Sequence, residues 1–306
     1  MSNIFVAGAT GVLGRRAVAK LVEAGHHVSG VARNDEKAEL LRGLGVTPVR
    51  VDLFDPAAVK DAVAGHDVVM NLATHIPPMS KAALPGAWNE NHRIRSEASK
   101  NLVDAALAAS AERYVQESIA FMYEDSGDRW IDEDSTLDPP GVGESTLAAE
   151  AEARRFAAAG GVGVVLRFGQ FYAADASHTI AMVKAARRRI APALGPKEGF
   201  VSMISADDAG SAVVAALDAP SGTYNVVDDE PVTRRELAAI AAEALGTKAP
   251  RSIPAALGKM SGQNARFLMR SQRVANKRFK AATGWTPSYP TLHEGWPVVV
   301  AAMEDG

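Results

Sequence analysis

Asn3-Ile-Phe-Val-Ala7-Gly8-Ala-Thr10-Gly11-Val12-Leu13-Gly14 is the stretch that decides the fold of this chain. A short apolar run meets three glycines spaced three apart, and the helical pattern Ala17-Val18-Leu21-Val22 follows at once. Strand, glycine turn and helix in that order form the opening of a dinucleotide-binding unit. Each glycine has its own task. Gly8 permits the tight turn off the strand, Gly11 lets the backbone approach a diphosphate without a Cβ in the way, and Gly14 lets the helix pack close to the sheet. Amides near Val12 and Leu13 then point at phosphate from the positive end of the helix, with Thr10 in the same turn.

Outward from this turn, strands and helices alternate. Val28–Val31, Thr47–Val51, Asp67–Leu72, Arg113–Gln116 and Gly163–Phe168 read as short buried strands, and Asp35–Gly43, Pro56–Ala64, Trp88–Ala109 and Ser145–Ala159 as helices between them. Near-continuous apolar strands alternating with helices predict a parallel sheet covered on both faces. After Tyr172 the alternation becomes irregular: helix Thr179–Arg189, helix Ala206–Leu217, strand Thr223–Val227 and helix Thr233–Leu245, the last opened by a Thr233/Glu236 capping box. The tail from Ala249 is punctuated by prolines and carries Trp285 and Trp296. The fold class expected is α/β, a doubly wound parallel sheet of Rossmann type with a smaller mixed C-terminal lobe. Residues 1–172 and about 205–228 would form the dinucleotide domain, and about 173–204 with 229–306 the substrate lobe.

Composition removes several classes of function. A net charge of −3 gives no pull toward nucleic acid or an anionic membrane. The run Arg187-Arg188-Arg189 reads as the solvated last turn of a helix. The absence of cysteine excludes disulfides, thiolate metal sites and a Cys nucleophile. No apolar run approaches the roughly 20 residues that span a bilayer, and Met1-Ser2-Asn3 leads straight into a strand with no signal-peptide build. The expectation is a soluble cytoplasmic protein acting on a small molecule, with no nucleic-acid or membrane partner. The acidic run Glu124-Asp125, Asp128 and Asp132-Glu133-Asp134 lacks ordered ligand spacing and reads as a solvated flap, so no metal site is expected.

The end of the second strand selects the cofactor. An acidic residue there accepts from a ribose 2′-hydroxyl in NAD enzymes, but this chain reads Val31-Ala-Arg33-Asn34. Arg33 can pair with a 2′-phosphate, so NADP(H) is expected over NAD(H), with Arg15 and Arg16 adding positive charge. Asp52 can accept from the adenine amino group while Leu53 packs on the ring. Leu72-Ala73-Thr74 follows the fourth strand, where backbone should run past the ribose.

With these residues in view the chain resembles the extended short-chain dehydrogenase/reductases, the group of sugar epimerases and dehydratases. The resemblance rests on Gly8-x-x-Gly11-x-x-Gly14, Asp52-Leu53, Asn71-Leu-Ala, Arg113-Tyr-Val-Gln-Glu-Ser118 with Tyr123, Leu166-Arg-Phe-Gly169 with Phe171-Tyr172, Ile204-Ser-Ala-Asp-Asp208-Ala and Thr223-Tyr-Asn-Val. It implies a Tyr that exchanges a proton with the substrate oxygen, a Lys four residues later, and a Ser or Thr after strand five. Here Val142 stands at the Tyr position, Thr146 at the Lys position and Ile119 at the Ser/Thr position, and no Tyr-x-x-x-Lys occurs in the chain. The resemblance further implies a homodimer through the helices Trp88–Ala109 and Ser145–Ala159.

Polar groups still converge at the C-terminal strand ends: Glu117, Ser118, Tyr123, His75, Gln170, Tyr172 and His178. Tyr123, Ser118 and His75 are the candidate catalytic groups, His75 because a His suits proton transfer near neutral pH. In the tail, Arg270-Ser-Gln-Arg273-Val-Ala-Asn276 offers either packing or substrate contacts. The leading expectation is hydride transfer between NADP(H) and a carbonyl or hydroxyl of a small metabolite. The alternatives are a non-redox lyase, isomerase or cyclase on the same fold, and an NADP(H)-sensing binding protein.

Overall fold

Asn3–Ala7 is buried from its second residue onward on both sides of the strand, which requires a place in the middle of a covered sheet. The computed structural model, which describes residues 1–77, 84–139, 141, 143–248 and 269–304, puts it there. This strand, β1, is flanked by β4 (Val68–Asn71) on one side and β2 (His27–Val31) on the other. Beyond β2 lies β3 (Thr47–Val49); beyond β4 lie β5 (Arg113–Ile119), β7 (Val162–Phe168) and β11 (Gly222–Val226). All seven run parallel. Strand order reverses between β1 and β4, and ligands of such sheets bind outside the carboxyl ends of the strands at that point.

Both faces are covered. Leu13, Val18 and Leu21 of α1 (Val12–Glu23) and Ala209 and Val213 of α8 (Ala206–Ala215) pack on Ile4, Val6, Met70 and Val115. On the other face Val59 and Val63 of α3 (Pro56–Val63), Leu102 and Val103 of α5 (Ser99–Ala108), and Phe156 of α6 (Gly143–Ala158) pack on Phe5, Val69, Tyr114 and Val165. Local signals set the helix starts. Asn34 caps α2 (Asp35–Gly43), Asp55 caps α3 ahead of Pro56, and the Thr233/Glu236 box opens α9 (Arg234–Ala244).

The helix expected over Trp88–Ala109 runs from Asn89 to Ala108 but is not uniform. After α4 (Asn89–Arg93) it passes through a π-helical turn, Ile94–Ala98, before α5. Such turns insert a residue into the helix and rotate the side chains that follow. The basic run sits where the charge argument puts it: α7 (Ser177–Arg187) ends there, and Arg189 leaves the helix with φ 57°.

Three two-stranded pairs complete the fold. They are β8 (Gln170–Tyr172) with β10 (Met203–Ser205), β9 (Phe200–Val201) with β12 (Val232–Thr233), and β6 (Trp130–Ile131) with β13 (Arg273–Val274). A separate core joins Tyr172, Met182, Met203, Leu237, Ile240 and Trp296. The tail is shared between cores: Phe279 and Trp285 pack with Tyr224 into the sheet's own core, although the sequence groups them with the lobe. Among the described residues no helix is long and apolar enough to cross a membrane, and no group of acidic or imidazole side chains could hold a metal.

Candidate active site

The turn after β1 is built by close backbone approach. Gly8 has φ +83°, and a Cβ on it would lie 2.5 Å from the carbonyl of Leu72. A Cβ on Gly14 would lie 2.0 Å from the Gly8 oxygen, so no side chain fits at either position. Gly11, by contrast, is open, with only the Gly8 oxygen at 3.4 Å. It is the N-cap of α1, and neither a capping side chain nor an acidic residue satisfies the first turn. A bare, positive helix start facing the sheet's switch point fits a diphosphate. Thr10, Val12 and Leu13 lie in this turn.

Past β1 in the sheet, Arg33 follows β2 with its side chain 77% exposed and its guanidinium 3.6 Å from the Glu90 carboxylate. Asp52 accepts from the amide of Phe54 at 3.0 Å, and the Leu53 carbonyl is held by Asn101 at 3.0 Å. Arg93 lies over the Phe54 ring at 3.9 Å. Arg15 and Arg16 contribute less charge than the sequence suggests. Arg15 pairs with Asp175, and Arg16 with Asp175 and Asp207 at 3.2 and 3.1 Å, so both are neutralised from across the chain.

At the end of β4 a buried polar layer fixes the backbone that leads past the crevice. Asn71 donates to Ser99 at 3.0 Å and to Gln116 at 3.2 Å, and accepts from the amide of Ala73 at 3.2 Å. Leu72 and Thr74 flank that amide. The amide of His75 donates to Asn91 at 3.0 Å, while its imidazole is half-exposed, 3.7 Å from Glu90. His92 of α4 and Ser145 of α6 are hydrogen-bonded at 2.9 Å.

Beneath the end of β5 lies a second layer, and it is ionic. Ser118 donates to Glu150 at 2.7 Å, and Arg167 binds both Glu150 oxygens at 2.8 Å. Arg167 also donates to the Tyr123 hydroxyl at 2.9 Å, which donates to Asn225 at 2.8 Å. Ser118, Tyr123 and Glu150 are fully buried. Burial pushes the Glu150 carboxyl up, but the Arg167 bonds and charge, with Ser118, outweigh it and leave it below the usual carboxylate range. Burial also pushes the Tyr123 phenol up to about 12 against the opposing pull of Arg167. Both hydroxyls expected to handle protons are thus spent on partners inside the chain.

Glu117 faces a different partner. Arg95 of the π-helical turn donates to both its oxygens at 3.1 and 2.8 Å. Burial holds its carboxyl above the usual range, and Arg95 offsets only part of that rise.

The remaining candidates serve packing. His178 is bonded to the carbonyl of Phe171 at 2.5 Å, and Gln170 donates to the sulfur of Met182. In the tail, Arg270 and Gln272 donate to the carbonyl of Tyr123, Arg273 stacks on Trp130, and Asn276 holds the carbonyl of Val227. Arg278 ion-pairs with Glu133 and Asp134 of the acidic run. Thr146 is buried in α6, and Val142 lies outside the described residues.

Sequence reasoning missed Arg95 and the pairing of Glu150 with Arg167. The one available signal was a charge inside an apolar strand, Val164-Val-Leu-Arg167-Phe, which demands a buried counter-ion.

Comparison with known proteins gives the family and the fold. The NAD(P)H-binding family matches residues 8–220. A 3-diazoavenalumate denitrifying reductase from a Streptomyces species is 34% identical, with 96% of this chain and 98% of that protein covered. A 2-alkyl-3-oxoalkanoate reductase from Shewanella oneidensis is 26% identical, over 92% of this chain and 77% of that protein. Among solved structures, MoeE5 in complex with UDP-glucose and NAD superposes with a TM-score of 0.80 at 22% identity, covering 99% of both chains. The human epimerase family protein SDR39U1 with NADPH gives 0.79 at 23% identity, covering 98% of this chain and 99% of that one.

Proposed function

Because the chain belongs to the NAD(P)H-binding family, whose relatives here are reductases of an epimerase-like fold, we propose that it is an NADPH-dependent reductase whose hydride acceptor needs no general acid. The acceptor chemistry favoured is an aryl diazonium group. The observation that carries this reading is the ionic layer under β5, which buries and occupies the hydroxyls of Ser118 and Tyr123. A carbonyl acceptor gathers charge on oxygen, and a positioned acid contributes about 10²- to 10⁴-fold there. An aryl diazonium carbon that accepts a hydride instead releases N2 together with the C–N bonding pair, and no proton enters the balance. The relative at 34% identity is named as a reductase that denitrifies a diazo compound, which supports the same chemistry here.

A bound nicotinamide coenzyme supplies the hydride. The chain's own residues do the rest. The Gly8–Gly14 turn and the bare start of α1 hold the diphosphate, Asp52 and Leu53 receive the adenine, and the backbone at Leu72, Ala73 and Thr74 runs beside the ribose. Arg33 receives the 2′-phosphate, with Glu90 turning aside to release it; its exposed guanidinium supports NADP(H) over NAD(H). Ile119, half-buried at the end of β5, presents an apolar surface that excludes water from the reacting carbon. The lobe built around Tyr172, Leu237 and Trp296 closes the substrate side.

A second reading keeps a carbonyl acceptor with His75 as proton donor. It is favoured by the half-exposed imidazole at the end of β4 and by the 2-alkyl-3-oxoalkanoate reductase relative. Anaerobic mixing with NADPH and either an aryl diazonium salt or a ketone panel separates the two. Loss of nicotinamide absorbance with release of N2 is expected for the diazonium alone; ketone reduction with an inert diazonium would overturn the first reading.

Self-association through the outer faces of α5 and α6 would bury a ladder of ion pairs, Lys100 with Asp104, Asp104 with Arg155 and Arg155 with Glu152. The desolvation of that ladder opposes the homodimer which the family resemblance implies.

A further inference from the structure

Glu90 lies between two groups that leave the sheet on opposite sides of β1. Its Oε1 is 3.6 Å from the guanidinium of Arg33, which follows β2, and 3.7 Å from Nδ1 of His75, which follows β4. The sheet order β4-β1-β2 puts the carboxyl end of β1, and so the glycine turn, between them. Neighbouring strands are about 4.8 Å apart, so the three side chains bridge roughly 10 Å of the edge on which a diphosphate would rest. Asn91, the next residue of α4, accepts from the His75 amide at 3.0 Å and fixes the helix start at this edge.

All three side chains are open to solvent, so a ligand can reach them. The ion pair is also loose. Arg33 and Glu90 stand beyond hydrogen-bond distance, whereas the sealed pairs under β5 close to 2.8 Å. An exposed pair of this kind contributes little to stability, and an arriving anion displaces it without a large penalty. Among the described residues Arg33 has no other ion pair.

The end of β2 lacks the carboxylate that accepts from a ribose 2′-hydroxyl in NAD enzymes. Glu90 brings one to the same place from a different element. A guanidinium beside a carboxylate serves two ligands. The guanidinium donates to a 2′-phosphate, for which the carboxylate must withdraw, and the carboxylate accepts from a neutral 2′-hydroxyl without releasing its partner.

We propose that Glu90 is a coenzyme-selecting residue: it accepts from the ribose 2′-hydroxyl of NAD(H) and competes with the 2′-phosphate of NADP(H) for Arg33. The proposal rests on the coenzyme reading above and adds NAD(H) as a second ligand of the same site. Arg33 keeps NADP(H) favoured, and Glu90 narrows the margin.

Calorimetric titration of Glu90→Ala with NADPH and with NADH tests it. Loss of the acceptor should raise the NADH dissociation constant about fivefold. Release of Arg33 should lower the NADPH constant about threefold. Glu90→Gln removes the charge but keeps a carbonyl, and should show the same NADPH gain with a smaller NADH loss. Glu90 is exposed, so both variants should fold, which a melting curve checks. A distorted site loses affinity for both coenzymes, so changes of opposite sign separate selection from a structural role. Failure of either constant to move in its stated direction in Glu90→Ala would overturn the assignment while leaving the coenzyme reading in place. If the unmodified protein binds neither coenzyme, that reading itself falls and takes this proposal with it.

Discussion

Replacing Tyr123 with Phe separates a structural phenol from a catalytic one. The substitution keeps the ring and removes a hydroxyl that donates to Asn225 at 2.8 Å and accepts from Arg167 at 2.9 Å, all in fully buried surroundings. Asn225 loses the donor to its Oδ1 and Arg167 loses one acceptor. A bond to a charged group is worth about 1.5–3 kcal/mol and a neutral one about 0.5–1.5 kcal/mol, so the variant should lose roughly 2–4 kcal/mol of stability. In a chain of 306 residues that lowers the melting temperature by roughly 3–6 °C. Turnover per folded molecule, measured below the shifted transition with NADPH and the accepted substrate, should stay within about threefold of the parent. The same substitution in an enzyme that draws its proton from this phenol costs about 10²- to 10⁴-fold in rate. A hundredfold fall in kcat with an unchanged melting temperature would refute the structural assignment and restore Tyr123 as the acid.

Exchanging Arg33 for Asp should reverse coenzyme preference, since one charge-assisted contact to the 2′-phosphate is worth about 1.5–3 kcal/mol, roughly ten- to a hundredfold in affinity. Equal ratios of NADPH to NADH dissociation constants in parent and variant would exclude Arg33 from that contact. Asp228→Asn should stabilise the protein at neutral pH. Burial first, and the nearby Asp208 carboxylate after it, hold the Asp228 carboxyl well above the usual range. The folded state therefore binds a proton that the unfolded state has released above about pH 4, and stability declines as pH rises from there toward the folded value. Urea unfolding at acid and neutral pH should show an advantage for Asn that grows with pH; a constant difference would place the group elsewhere on the scale.

How much of this was legible depends on how locally each feature is encoded. The turn Gly8–Gly14 and the Thr233/Glu236 box follow from residues within one turn of each other, and the structure repeats them. The strands could be read because parallel strands covered on both faces are nearly continuous apolar runs. What stayed hidden depends on partners distant in sequence. Arg15 and Arg16 look like a phosphate-seeking pair until Asp207 arrives from the first turn of α8 and Asp175 from the loop between β8 and α7. Arg95 and Glu117 are 22 positions apart, on a helix and a strand, with no periodicity that links them. The π-helical turn leaves no mark in a pattern read at 3.6 residues per turn, and it is what sets the direction of Arg95.

Four buried charges under β5 call for an explanation beyond stability. A buried ion pair is weak support for a fold, because well-packed apolar residues commonly do as well or better. Arg95 with Glu117 and Arg167 with Glu150 are each nearly inaccessible to water, and each pair cancels its own charge. What they provide is a fixed and neutral floor. For a carbonyl substrate that floor is poor, since it offers no acid and no free cation beside a developing oxyanion. For a cationic acceptor the comparison inverts. A lysine ammonium within about 4 Å of a diazonium would oppose its binding by about 4 kcal/mol at an effective dielectric of 20. Thr146 removes that repulsion, and Ile119 contributes no group that must be deprotonated. Of the altered positions, the lysine is the one whose absence a positively charged hydride acceptor would favour.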